Sequence, residues 1–230
     1  MASKRVIPCL LLYKEGLYKT INFGKHRYIG DPINAVKIFN EKEVDELMFF
    51  DISASSEDKE PDYNMIKSIA SECFMPLSYG GGIKKNSLSS NIVANPKLLA
   101  ESSKEFGSQS IIATVDIKKD FWGKRKVFIF NGKKNTKLDP IEYINYLESL
   151  GVGEIVVNSI DNDGMMNGFD LNFLEKVKSN TKVPIVALGG AGSLEHLKEA
   201  FQKSKVDAVA CGSLFVYQGP LKAVLINYPP

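Results

Sequence analysis

The chain has 230 residues, with 29 Lys and Arg against 27 Asp and Glu, for a formal net charge of +2. That length accommodates one or two ordinary domains or one large α/β barrel with a substantial core. The balanced charge argues against a polyanion binder whose affinity comes from neutralising many phosphates, so no nucleic-acid partner is expected. Three widely spaced cysteines, Cys9, Cys73 and Cys211, lie among apolar residues and offer neither a disulfide framework nor a zinc motif. No metal and no other cofactor is indicated. The N-terminus lacks the build of a signal peptide and no run approaches 18 apolar residues, so a cytoplasmic protein without a membrane partner is expected.

In chain order, apolar runs at 6–12, 46–52, 75–79, 110–117, 154–158, 183–188 and 208–211 alternate with helix-like stretches at 32–42, 63–72, 141–150, 171–178 and 194–202. Runs that are apolar on both faces and separated by helices predict a parallel sheet covered on both sides. Residues 124–135 break the alternation: Val127-Phe128-Ile129-Phe130 followed by Asn131-Gly132 predicts a hairpin excursion.

An internal repeat organises these elements. A shift of 108 places residues 45–52 on 153–160 and Pro76 to Gly82 on Pro184 to Gly190, and a shift of 105 places residues 6–11 on 111–116. Two halves of four βα units, about 1–108 and 109–230, predict one (βα)8 barrel domain over residues 1–230. The repeat fails at one place. Pairing Ser90 with Ser213 needs a shift of 123, so the first half is 15 residues short. One βα unit is therefore incomplete, and a discontinuity is expected near residues 84–87.

Gly80-Gly81-Gly82 and Gly189-Gly190-Ala191-Gly192 each follow an apolar strand and precede a helix. Glycines there let backbone N–H groups approach an anion, although each pair alone reads equally well as a tight turn. Small hydroxyl sites follow both, at Ser89-Ser90 and Gly212-Ser213, and the duplication points to a ligand phosphorylated at both ends. Among polar groups at strand ends, Asp51, Asp116, Asn158, Asp161 and Asp163 are candidates for acid/base work or for capping. Asp116, closing Ile111-Ile112-Ala113-Thr114-Val115, has the best position. His26 and His196 lack metal-ligand neighbours and are expected to face solvent. Lys133-Lys134 reads as a solvated turn or a basic loop near a phosphorylated substrate, and Met165-Met166 as ligand-loop packing or filler.

Over essentially its whole length the chain resembles the cyclase subunit of imidazole glycerol phosphate synthase. The resemblance is carried by Arg5 to Leu10, Asp45-Glu46-Leu47 with Asp51 to Ser55, Gly80-Gly81-Gly82-Ile83, Phe106-Gly107-Ser108-Gln109, Gly132 to Thr136, Ser159 to Gly164 and Gly189 to Gly192. It implies a half-repeat barrel that receives ammonia from a glutaminase partner at its bottom face and uses it at the top. It also implies an ammonia gate at Arg5, Glu46 and Glu154, ligand contacts that include Gly164, and an active-site mouth that includes Lys19, Asp51, Asn158 and Asp163. Family members resembling this chain use two aspartates as the acid/base pair. One is present as Asp116, whereas Leu11 occupies the position of the other. That departure, with the short ending from Gly212 to Pro230, resembles a divergent branch associated with surface polysaccharides. There the barrel is expected to pass ammonia to a separate sugar amidotransferase. The alternative is the ordinary cyclase of histidine biosynthesis.

Overall fold

The computed structural model describes residues 4–57, 59–81 and 96–229. Seven parallel strands share one sheet: β1 (Arg5–Tyr13), β2 (Leu47–Asp51), β3 (Leu77–Gly80), β4 (Ile112–Lys119), β5 (Glu154–Ser159), β6 (Ile185–Leu188) and β7 (Ala208–Cys211). Their spatial order is β3, β2, β1, β7, β6, β5, β4. The last strand thus returns to lie beside the first, with Arg5 opposite Ala208 and Pro8 opposite Cys211, which is the join a barrel requires. β3 and β4 are the two strands that an eighth would connect. Of the chain between them, residues 82–95 lie outside the described residues, and the expected discontinuity at 84–87 falls there.

Helices α1 (Pro32–Glu41), α2 (Tyr63–Glu72), α3 (Pro96–Phe106), α4 (Pro140–Ser149), α5 (Leu171–Ser179), α6 (Leu194–Glu199) and α7 (Ser213–Val216) alternate with the strands. The two halves start their first helices in the same way. Asp31 and Asp139 accept backbone N–H bonds from the first turns of α1 and α4, and Pro32 and Pro140 occupy the position where a missing N–H costs nothing. α6 is shorter than expected. It gives way to a π-helical turn over Ala200–Ser204, closed by Lys205 in the left-handed region, and the Ser204 hydroxyl donates to the Leu171 carbonyl at 2.9 Å.

Strand alternation divides the core into two layers. Ile7, Cys9, Met48, Val156, Val186, Ala208 and Ala210 point into the barrel and are buried. Their neighbours Leu10, Leu47, Phe49, Ile155, Val157 and Val209 point outward, under a helical layer that includes Val36, Phe39, Ile144, Leu147 and Val177.

Each half also carries an antiparallel ribbon at the upper end of its first strand. Gly16–Lys19 pairs with the end of β1, followed by Arg27–Gly30. Arg125–Ile129 pairs with the end of β4, followed by Lys134–Asn135, so the expected excursion at 124–135 is present. Its turn runs through Phe130, Asn131 and Gly132, all with positive φ. At the opposite end the chain closes on itself, where the Tyr228 hydroxyl donates to the Val6 carbonyl at 3.1 Å and its ring packs on Phe215.

Phe39 has no exposed surface, so Phe39→Ala should lower the unfolding free energy by about 3–5 kcal/mol in a urea titration. Phe74 is 87 % exposed, and Phe74→Ala should change it by no more than about 0.5 kcal/mol.

Candidate active site at the upper end of the barrel

The C-terminal ends of the strands and the loops that follow them enclose a cavity. Leu11, Phe50, Ile112 and Leu188 give it apolar walls, and its polar lining includes Lys19, Thr20, Asp51, Thr114, Asp116, Asn158, Asp163 and the glycine loops. Asp116 comes from the inward face of β4 and stands opposite Asn158 on β5. The Asn158 amide donates to Asp116 Oδ1 at 2.9 Å, which fixes one carboxylate oxygen and leaves the other toward the cavity. Burial pushes the Asp116 carboxyl up to about 6; the Asn158 bond restrains the rise and the negative charge of Asp163 adds to it. Leu11, at the matching place in the first half, lines the same cavity and supplies no proton.

The remaining candidates separate by what holds them. Asp51 is committed to structure: its Oδ1 accepts from the backbone of Ser53 and Ala54 at 2.9 Å and from the Ser53 hydroxyl at 2.7 Å, capping the short helix Ile52–Ser56. The Tyr79 hydroxyl donates to its other oxygen at 3.3 Å. Asp163 accepts from the Thr20 hydroxyl at 2.8 Å and from the Phe23 backbone at 3.4 Å, and so fastens the first ribbon over the mouth. That ribbon delivers Lys19, whose buried ammonium lies against Gly212. Asp161 accepts from the Lys119 backbone at 2.9 Å, outside the cavity.

The glycines have steric reasons. Gly189 and Gly190 have φ of +91° and +116°, and a Cβ on Gly189 would stand 2.6 Å from the Ser159 carbonyl oxygen. A Cβ on Gly190 would strike the Gly168 carbonyl. Gly81, Gly164, Gly189, Gly190, Gly212 and Ser213 all line the cavity. Gly82, Ser89 and Ser90 lie outside the described residues. His26 is exposed at the mouth, with its ring 4.7 Å from that of Tyr13. His196 departs from expectation: it is half-buried, and its Nδ1 accepts from the Gly192 backbone at 3.2 Å. Lys133 and Lys134 are exposed, as a solvated turn requires. Among the described residues no cluster of three or more His, Cys, Asp or Glu could hold a metal ion.

At the other end of the barrel the Arg5 guanidinium sits between two carboxylates. It donates to Glu46 at 2.6 Å and to Glu154, and the Ser78 hydroxyl donates to the remaining Glu46 oxygen at 2.8 Å. Burial works against the Arg5 charge, but the two glutamates outweigh it and hold the pKa above its ordinary value. Burial raises that of Glu154 despite the arginine. The structure therefore brings Arg5, Glu46 and Glu154 together as one floor cluster.

Residues 5–222 match the family model described as histidine biosynthesis protein. The chain belongs to the histidine biosynthesis protein family. Relatives in this family span nearly their whole lengths with it. "Putative imidazole glycerol phosphate synthase subunit hisF2" of Pseudomonas aeruginosa is 48% identical over 243 residues, covering 100% of this chain and 97% of that protein. "Putative imidazole glycerol phosphate synthase subunit HisF" of Leptospira borgpetersenii is 49% identical over 244 residues, covering 100% and 96%. "Imidazole glycerol phosphate synthase subunit HisF" of Streptococcus sanguinis is 38% identical over 231 residues, covering 94% and 92%. The first two alignments are longer than the chain's 230 residues, so those family members carry positions that this chain lacks.

The raised pKa of Asp116 gives a stability test. The folded chain holds a proton on this group up to about pH 6, whereas the ordinary carboxyl value is 3.8, so stability falls as pH rises through that window and then levels off. Asp116→Asn removes the cost of the buried charge. Its unfolding free energy relative to the parent should rise between pH 4 and 6 and reach a plateau of about 3 kcal/mol above it, read by denaturant titration at each pH.

Proposed function

We propose that this chain is the ammonia-using barrel subunit of an imidazole glycerol phosphate synthase-type glutamine amidotransferase. A glutaminase partner docks at the floor around Arg5, Glu46 and Glu154, and its ammonia travels along the barrel interior to the mouth. There it meets a phosphorylated ligand held on one side by Gly81, Gly82, Ser89 and Ser90, and on the other by Gly164, Gly189, Gly190, Gly212 and Ser213. The observation that carries this reading is Asp116, a buried carboxyl poised near neutrality with one oxygen fixed by Asn158, standing at the upper end of the interior that has the Arg5 cluster at its floor. A group with that pKa can both accept and return a proton near neutral pH.

The names of the relatives support the substrate. On this reading ammonia reacts with the phosphoribulosyl aminoimidazole carboxamide intermediate to yield imidazole glycerol phosphate, the aminoimidazole carboxamide ribonucleotide half and water leaving, with Asp116 moving protons and Lys19 and Asp163 at the mouth contacting the ligand. The single barrel is built from half-repeats over 1–108 and 109–230, and its surroundings are cytoplasmic.

Leu11 favours a second reading. With one carboxylate of the pair replaced by an alkyl group, ammonia would leave the mouth for a separate sugar amidotransferase that forms an acetamidino group on a surface-polysaccharide sugar. A cyclase assay with ammonia supplied directly separates the two. If the chain is a conduit, turnover falls at least about a hundredfold below that of a two-aspartate relative, and Leu11→Asp restores part of it. Turnover equal to the relative's establishes the cyclase.

The floor is tested independently of the mouth. Glu46→Lys places a second cation against Arg5 and should abolish glutamine-dependent activity in the reconstituted complex while leaving activity on free ammonia within about threefold. Unchanged glutamine-dependent activity would remove the floor cluster from the ammonia route.

A further inference from the structure

The ribbon that rises from β4 ends in a turn carrying Phe121 and Trp122, which are 94 % and 81 % exposed. Their rings meet edge to face at 5.6 Å. The turn is firmly built. The Asp120 carboxylate accepts from the backbones of Trp122 and Lys124 at 2.9 Å, and the Asp120 backbone N–H donates to the Lys124 carbonyl at 2.8 Å. Two large aromatic side chains are therefore held out in water by an ordered apex.

A second observation concerns charge. Lys118 lies directly opposite Lys126, and Lys119 directly opposite Arg125. Like charges facing one another across a strand pair are locally destabilising. Arg125 is paired with Asp170 at 2.7 Å and the Lys118 ammonium lies over the Phe128 ring at 5.8 Å; Lys118, Lys119, Lys124 and Lys126 have no ion pair among the described residues. Such an arrangement is stabilised when a dense array of anions comes to it.

We propose that this ribbon tip docks on an anionic lipid bilayer, with Phe121 and Trp122 entering the boundary between headgroups and acyl chains while the four lysines meet lipid phosphates. A bilayer supplies an anionic layer above an apolar one, in the order in which the lysines and the protruding rings would meet them. A convex apex needs no preformed pocket there. No described helix is long and apolar enough to cross a membrane, and docking of this kind needs none.

Trp122 is the chain's single tryptophan, so its fluorescence reports on the tip alone. The full chain is mixed with vesicles of phosphatidylcholine containing phosphatidylglycerol and with vesicles of pure phosphatidylcholine. The expected result is a blue shift and co-sedimentation with the anionic vesicles only, both declining as salt is raised. Phe121→Ser with Trp122→Ser should weaken co-sedimentation at least about tenfold. Lys124→Ser with Lys126→Ser should weaken it about tenfold while the tryptophan remains as reporter, so the test stands even if the aromatic variant misfolds. The proposal is overturned by absence of binding to anionic vesicles, by equal binding to neutral ones, or by binding that neither pair of substitutions weakens. A shift of Trp122 emission on adding a purified protein, with none on adding vesicles, also overturns it and makes the tip a protein-docking element.

Discussion

The inward line of a parallel barrel strand is a single file of side chains, and everything this molecule offers for chemistry depends on how that file is filled. On β1 the file runs Arg5, Ile7, Cys9, Leu11; on β5 it runs Glu154, Val156, Asn158. Because successive inward positions lie about 7 Å apart along the strand, ions at the floor and polar groups at the mouth are separated by an apolar plug. That plug has opposite effects at its two ends. At the floor it makes the Arg5 charge tolerable only between two carboxylates, because an unpartnered ion beside it would lose its hydration without compensation. At the mouth it makes ionisation of Asp116 costly, and an aspartic acid becomes a group that exchanges a proton near neutral pH. One interior thus sets both the rigidity of the floor and the basicity of the mouth.

The strands were readable in the sequence because both of their faces are buried. Their apolar runs are continuous, and the shift of 108 between the halves exposes the duplication without any appeal to structure. The structure adds that the Asp31-Pro32 and Asp139-Pro140 helix starts obey the same shift. Boundaries were less legible. The expected helix at 194–202 has the apolar spacing to continue, but the bond from Ser204 to Leu171 draws the chain into a wider turn whose cause lies in another helix. The ribbon at Gly16–Lys19 was missed because its residues alternate over only one short strand, and its pairing with the end of β1 is a tertiary fact.

At the mouth, Asp116 could be singled out because it closes an apolar strand. Asp51 has the same position on β2, and only geometry shows that its carboxylate is spent on capping the next helix. Local sequence was ambiguous there because an aspartate before a short helix and an aspartate at a catalytic mouth look alike. Lys19, Thr20 and Tyr79 reach the site from a ribbon and a neighbouring strand, and no spacing along the chain connects them with Asp163 or Asp51. The floor cluster has the same character. Arg5, Glu46 and Glu154 lie far apart in sequence, and their meeting follows from strand order and inward register together.

The hydrogen bond from Tyr228 to Val6 spans almost the whole chain and brings its two described ends to one edge of the barrel floor. Because the bonded residues are 222 positions apart, the contact exists only when β1 and the segment after α7 are both in place. The segment after α7 is thus an added wall for the floor beside Arg5, and a change in it would be felt at the ion cluster before it reached the mouth.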